Sequence, residues 1–482
     1  MSKYEPKKDL LTGEYIKDET FELIHEKPLR TRREFMAAGL IQMTATVTLP
    51  SIATLLARSG NARAQEIVCP KGGNPSLVPF ITVNLSGGAG LASNFVPHDQ
   101  GNQPLSTYSR LGLGATSALP IEYGFSNSAP FAGNGISQFY AGLTAVAQMA
   151  TMQNSAFVAA PVRTRDDSDE NKLNLEGMVA KAGRAGTILP HLGANRNEAA
   201  FINPPNPLNV RRFNNIEEAL AIGGRLGNQL NKNQQATLFK TIESLTKNQT
   251  RGIASRSGGA ELQKLVNCAT KDNSDLVGTD DPGVNPINDA NYLNVWGLDA
   301  GSDTGSGEFT QASIVYNVLK GNAAAGTINL GGYDYHNGTR TSGDQRDNNA
   351  GTLVGRILES FAAMGTKGFI AVTTDGSVTG PMSEMAGSPW TSDRGSAGMA
   401  YMLAYDPSGA PQSSGFQMGH FLGGKSQQAV DQSFLTSGTP EMASAGIFAN
   451  YLSFSGQISL LDAVLPRVFS ASDLDKILKV FG

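Results

Sequence analysis

Apolar residues along this chain follow two rhythms. Short continuous runs rich in β-branched residues predict buried strands: Leu77 to Leu85 (LVPFITVNL), Ala156 to Val162, Thr327 to Leu330, Gly368 to Thr374 (GFIAVTT) and Met399 to Tyr405. Stretches with apolar residues three and four apart predict helices over Gly135 to Asn154 and Phe309 to Leu319. A third covers Asn349 to Met364, with Leu353, Val354, Ile357, Leu358 and Phe361 on one face. From Phe309 onward the order is helix, strand, helix, strand. Apolar strands in that order predict an α/β fold with a mainly parallel central sheet flanked by helices. Helical spacing also runs from Asn215 to Ile253 and over Gly259 to Thr270. Residues 213–307 therefore read as a mostly helical and loop insertion in a single domain, 65–482. The Asp/Gly/Asn-rich connection 271–307 is too long to be structureless, and part of it is expected to fold over a site. A last helix is expected over Ser472 to Val480, capped by Ser472 with Asp475 three residues on.

The first 64 residues follow another plan. A basic cluster, RTRREFM (30–36), runs into the moderately apolar MAAGLIQMTATVTLPSIATLLA, and then into ARSGNARAQ, where Ala62-Arg63-Ala64 is a small-x-small cleavage site. The three parts in that order read as a signal peptide. Arg32-Arg33 followed by Glu34-Phe35, with Thr31 ahead of them, resembles the twin-arginine export motif. The apolar stretch has nearly the length of a membrane span, but its threonines, Gln42 and Pro50 make it a poor permanent one. The implied partners are the twin-arginine export machinery and a signal peptidase, and the implied location is periplasmic or secreted. No second run of spanning length follows, so no permanent membrane span is expected.

Composition narrows the functional classes. A chain of 482 residues that is 40% hydrophobic can bury a sizeable core, and its 55 glycines and 23 prolines imply many loops. A net charge of −4, with no basic stripe, argues against nucleic-acid partners. The two cysteines, Cys69 and Cys268, are placed to use an oxidising compartment, but sequence does not say whether they pair. Val68 ahead of Cys69 argues against a lipidated cysteine. No haem or iron–sulfur cysteine pattern exists, which disfavours a redox carrier. The polar segment RTRDDSDENKLN (163–174) reads as a surface loop, because its acids lack the glycine and distal glutamate of a calcium-binding loop.

Candidate chemistry collects where strands end. Ligands of parallel α/β sheets gather beyond the carboxyl ends of the strands. Asp334 and His336 follow the strand ending at Leu330, in LGGYDYHNGTR. Asp375 directly follows the strand ending at Thr374, and Asp393 lies in TSDRGSAG ahead of Met399. In extended backbone, residues i and i+2 point the same way, so Asp334 and His336 can aim at one ion. Carboxylates with an imidazole suit one divalent metal such as zinc, manganese or iron. The bland alternatives stay open: a hydrogen-bonded turn histidine for His336, a cap for Asp375, a turn-former for Asp393.

With GGYDYH (331–336) on the page, the chain resembles the bacterial exported proteins carrying domain of unknown function 1501, grouped with the alkaline phosphatase and sulfatase superfamily. The residues carrying the resemblance are GGAGLASNFVP (87–97), GGYDYH, TDGSV (374–378) and SDRG (392–395), together with the export signal; only GGYDYH is close letter by letter. The resemblance implies an alkaline-phosphatase-like fold and a metal-dependent hydrolase of phosphate or sulfate esters. It assigns Asp334, His336, Asp375 and Asp393 as metal ligands. Two further ligand positions of that family fall on Gly90 and Arg394, which carry no coordinating group. One metal is then the most the site would hold, with Arg394 gripping an anionic substrate and Ser93 as a candidate nucleophile whose plainer role is a turn serine. The alternative is a non-catalytic binding or assembly protein on the same fold, with a small anionic ligand or a protein partner.

Overall fold

A strand apolar on both faces belongs at the centre of a sheet, and β1 (Phe80–Leu85) is buried along its whole length with a parallel neighbour on each side. The computed structural model describes residues 74–101, 103, 120–121, 129–132, 137–164, 173–186, 189–193, 231–250, 283–335, 340–379, 392–393, 398–422 and 429–482, all within Pro50–Gly482. The leader 1–64, Cys69 and Cys268, most of the acidic loop 163–174, the helical spacing before 231 and over 259–270, His336 and Arg394 lie outside the described residues.

The other strands, in chain order, are β2 (Pro120–Ile121), β3 (Ala129–Ala132), β4 (Ser155–Val162), β5 (Leu189–Leu192), β6 (Ala323–Leu330), β7 (Gly368–Thr374), β8 (Val378–Thr379), β9 (Ser392–Asp393), β10 (Gly398–Tyr405), β11 (Gln412–Ser413), β12 (Phe421–Leu422), β13 (Ala429–Val430) and β14 (Val480–Phe481). The α-helices are α1 (Gln138–Val146), α2 (Met149–Gln153), α3 (Leu175–Lys181), α4 (Lys232–Thr250), α5 (Ala290–Val295), α6 (Gly307–Leu319), α7 (Arg340–Ala363), α8 (Pro440–Phe454), α9 (Leu461–Val464) and α10 (Ala471–Ile477).

Six strands form the main sheet in the order β4-β10-β7-β1-β6-β5. The pairs β5–β6, β6–β1 and β1–β7 are parallel, and β10 runs antiparallel to both β7 and β4. The protein is thus an α/β fold with a mixed, mostly parallel sheet flanked by helices. Side chains alternate between two cores. Ile81, Val83, Tyr401 and Leu403 face a core shared with Phe139, Trp296, Val315, Val354 and Leu358 of the α1, α5, α6 and α7 side. Phe80, Phe369, Ala400 and Met402 face a second core with Met178, Phe448 and Tyr451 of the α3 and α8 side. Aromatic rings fill the first core, where Phe157 lies 5.0 Å from Tyr401 and 4.3 Å from Phe131, centroid to centroid.

Helices α1 and α7 meet backbone to backbone. A Cβ added at Gly142 would lie 1.9 Å from the Asn348 carbonyl oxygen, and one at Gly351 the same distance from that of Phe139. Only glycine permits that approach.

Several expectations are corrected by packing. The run Met399 to Tyr405 forms β10, but as the one reversed strand of the sheet. The helix expected from Asn349 starts earlier, at Arg340. The final helix is capped by Ser470, with Asp473 completing the capping box, instead of Ser472 and Asp475. Of the 271–307 connection, residues 283–307 are described, and they pack in the helix layer. There Trp296 is fully buried and donates its indole N–H to Ser360 Oγ at 3.0 Å, and the Tyr292 hydroxyl donates to the Ala312 carbonyl at 2.6 Å. Among the described residues no helix is long and apolar enough to cross a membrane.

Candidate functional site

The parallel register brings Leu85, Leu330 and Thr374 side by side, so the loops after β1, β6 and β7 leave the sheet at one edge. Reversed β10 starts at that same edge, because Gly398 is paired with Val162 at the end of β4. The short ribbon of β8 and β9 pairs Val378 with Asp393 and ties the segment after Asp375 to the one entering β10. Loops bearing three of the sequence-selected acids therefore share one rim.

At the centre of that rim is the glycine turn after β1. Gly87 and Gly88 have φ of 120° and 93°, values a side chain resists. Their N–H groups both donate to Asp375 Oδ1, at 2.8 and 2.9 Å, and Ala89 N–H donates to Thr374 Oγ1 at 2.9 Å. Successive backbone donors of this kind make an anion-binding nest, and here the anion is the protein's own carboxylate. Asp375 is 1% exposed.

The backbone at Asp334 packs on the same turn. Tyr333 N–H donates to the Ser86 carbonyl at 2.9 Å, and a Cβ at Gly87 would lie 2.7 Å from Asp334 N. The side chains alternate here: Tyr333 and Tyr335 are buried and Asp334 is exposed. The structure thus sets Asp375 and the Asp334 backbone against one turn. For Asp393 only the backbone position in β9 is described. Ser93 sits in a 3-10 turn, Leu91–Asn94, and is 4% exposed.

Beneath this rim lies a polar network that the sequence reading missed. Asp347, in the first half of α7, is fully buried. Its Oδ2 accepts from Asn94 Nδ2 at 2.7 Å and its Oδ1 from the Tyr335 hydroxyl at 2.9 Å. Asn94 Oδ1 in turn accepts from Ser137 Oγ and from Phe139 N–H, both at 3.1 Å. Burial, then the Asp347 charge, pushes the Tyr335 phenol well above its usual range, so it stays a proton donor. A signal was present: the buried stripe Ala350, Val354, Ile357 and Phe361, extended one turn upstream, lands on Asp347.

A second polar system crosses the ends of three strands. Thr373 Oγ1 donates to Asn84 Oδ1 at 3.2 Å, and Asn84 Nδ2 donates to Asn329 Oδ1 at 2.6 Å and to Ser86 Oγ at 3.0 Å. Ser86 Oγ also donates to Asn329 Oδ1, at 2.8 Å. Beside Asn329 opens a pocket of about 470 Å³ between the end of β6 and the first turns of α7.

The metal expected from the resemblance meets a partial donor set. Among the described residues no group of three or more His, Cys, Asp or Glu side chains is placed to hold an ion. Asp334 and Asp375 alone do not make such a site, because Asp375 Oδ1 is committed to two backbone donors. No family model matches this chain, no curated protein is significantly similar to it, and no solved structure matches its fold.

Proposed function

We propose that this is an exported protein on the scaffold of the metal-dependent phosphate and sulfate ester hydrolases, whose site is degenerate for catalysis and serves binding. The observation that carries the reading is the Asp375 carboxylate closing the glycine nest. A carboxylate that accepts two N–H groups is oriented by them, and that oxygen serves the turn. Gly90 and Arg394, where the resemblance expects further ligands, support the same view. The test is turnover of aryl phosphates and aryl sulfates by the mature protein, with metal content measured in parallel on the wild type and on Asp334→Ala. Turnover no faster than buffer is expected. Robust metal-dependent turnover, abolished in Asp375→Asn, would overturn the reading.

The second reading is a working hydrolase with one metal. The packing of Asp375 and the Asp334 backbone against the Gly87 turn favours it. Under it, Asp334, His336, Asp375 and Asp393 would hold the ion, which supplies Lewis acidity to the ester oxygen, and Arg394 would hold the anionic group. Equal metal content in wild type and Asp334→Ala would remove Asp334 as a ligand.

A further inference from the structure

The pocket beside Asn329 has features that neither the ester-hydrolase resemblance nor the metal question uses. Four of its lining residues, Ser342, Gln345, Arg346 and Asn349, recur at the spacing of one face of α7, and the facing wall is Asn329, Leu330, Gly331 and Tyr333. Among the described residues no carboxylate lines it, and the charged group there is the Arg346 guanidinium. Its volume of about 470 Å³ falls within the roughly 300–1,000 Å³ of small-molecule sites.

The charged donor of this pocket is Arg346. It is half-buried, its Nη1 donates to the Gly331 carbonyl at 3.2 Å, and no described carboxylate forms an ion pair with it. The Nη1 end of the guanidinium approaches Gly332, whose φ is 85°: a Cβ there would sit 1.8 Å from Nη1. The missing side chain at Gly332 gives the fork room at the wall, and one hydrogen bond leaves most of its five donors for another acceptor. Asn329 belongs to the facing wall, but its side-chain Oδ1 accepts from Ser86 Oγ and Asn84 Nδ2, in the network on the α3 and α8 face of the sheet.

We infer that the pocket between the carboxyl end of β6 and the first turns of α7 binds a small molecule through an oxyanion — carboxylate, phosphate or sulfate — gripped by Arg346. The planar guanidinium fork matches two oxygens of such a group. Gln345, Asn349 and Ser342 carry both donors and acceptors and suit a polar remainder of the ligand. The site needs no metal and no ester cleavage, so it stands or falls separately from the function proposed above.

The test is calorimetric titration of the mature full-length protein with inorganic phosphate, sulfate and acetate at fixed ionic strength. Saturable one-to-one binding of at least one anion is expected, and which of them binds identifies the headgroup. Arg346→Gln should weaken that binding about tenfold or more, the effect of losing a charge-assisted contact. Arg346→Lys should recover only part of it, because an ammonium lacks the fork. Asn349→Phe, which fills the pocket from an exposed helix position and leaves Arg346 in place, should also abolish binding. The proposal is overturned if none of the three anions binds the wild type, or if Arg346→Gln binds as tightly. Should Arg346→Gln fail to fold, unchanged affinity in Asn349→Phe overturns it equally.

Discussion

Asp375 shows how one side chain can be selected correctly and given the wrong work. Its place after an apolar strand marks it as a rim residue, and sequence offered both a ligand and a cap. Geometry makes it the acceptor for Gly87 and Gly88 N–H. Replacing it by alanine leaves the half-buried Gly87 and the buried Gly88 donors without that acceptor, and such a loss costs about 1–3 kcal/mol for a buried group. Asp375→Ala should therefore lower unfolding stability in urea by about 3 kcal/mol, and Asp375→Asn, which keeps an acceptor oxygen, by clearly less. Equal, small effects from both would show that the turn does not depend on the carboxylate. Asp347 is the converse case, passed over because it stands beside surface-like polar residues, although the helical period places it inside.

Elements were legible where the apolar pattern is one-sided. The runs of β1, β6, β7 and β10 were found within a few residues of their ends and the stripe of α7 only from Asn349 onward, whereas α8 was missed. Its residues are buried nearly all round, from Pro440 to Phe454, so no polar face marks its period. Thr439 capping the helix and Pro440 at its first turn were the usable signals. At the other end of the chain's last helix, Ser470→Ala should cost about 1 kcal/mol in a thermal melt, while Ser472→Ala should change little, because the N3 amide bonds Ser470. The crossing of α1 and α7 depends on Gly142 and Gly351. Gly351→Ala would force its Cβ onto the Phe139 carbonyl and should destabilise by roughly 1–3 kcal/mol, as overpacking does. A neutral Gly351→Ala would mean that the two helices separate without cost.

At the scale of the molecule, a sheet must close its edges, and β4 would otherwise be one. Residues 416–418 cover it: Ala159 N–H donates to the Phe416 carbonyl at 2.8 Å and Met418 N–H to the Ala159 carbonyl at 2.7 Å. Gln417 locks this strap to the segment after β1 through bonds with His98 N–H and His98 O, at 3.0 and 2.9 Å. His98 and His420 flank the strap, their rings edge-on to Phe416 and Phe434. Burial holds both imidazoles below the ordinary value of 6.5. Around His420, Asp431 and Asp99 oppose that shift and Lys479 adds to it; around His98, Asp99 opposes it. With the folded value below the unfolded one, the unfolded chain takes up protons first, so stability is full above pH 6.5 and falls as pH drops below it. The melting temperature should decline on acidification from that point, and the double variant His98→Gln, His420→Gln should show a flatter profile there. Identical profiles would separate these histidines from the acid response.

Local period and run length determined the existence of the central strands, the helices between them, and the α/β class, since each records which faces of its own segment avoid water. They also placed the loops carrying Asp334, Asp375 and Asp393 after or before strands. Tertiary structure decided the direction of β10, and that mattered for the site: only a reversed strand starts at the rim where its neighbours end, bringing the Asp393 segment to Asp375. Strand direction depends on which partner a segment meets, and an apolar run reads the same both ways. The oriented amides from Thr373 to Asn329 likewise exist only because β7, β1 and β6 lie in register. Hydrogen bonds between residues far apart in sequence leave no local trace.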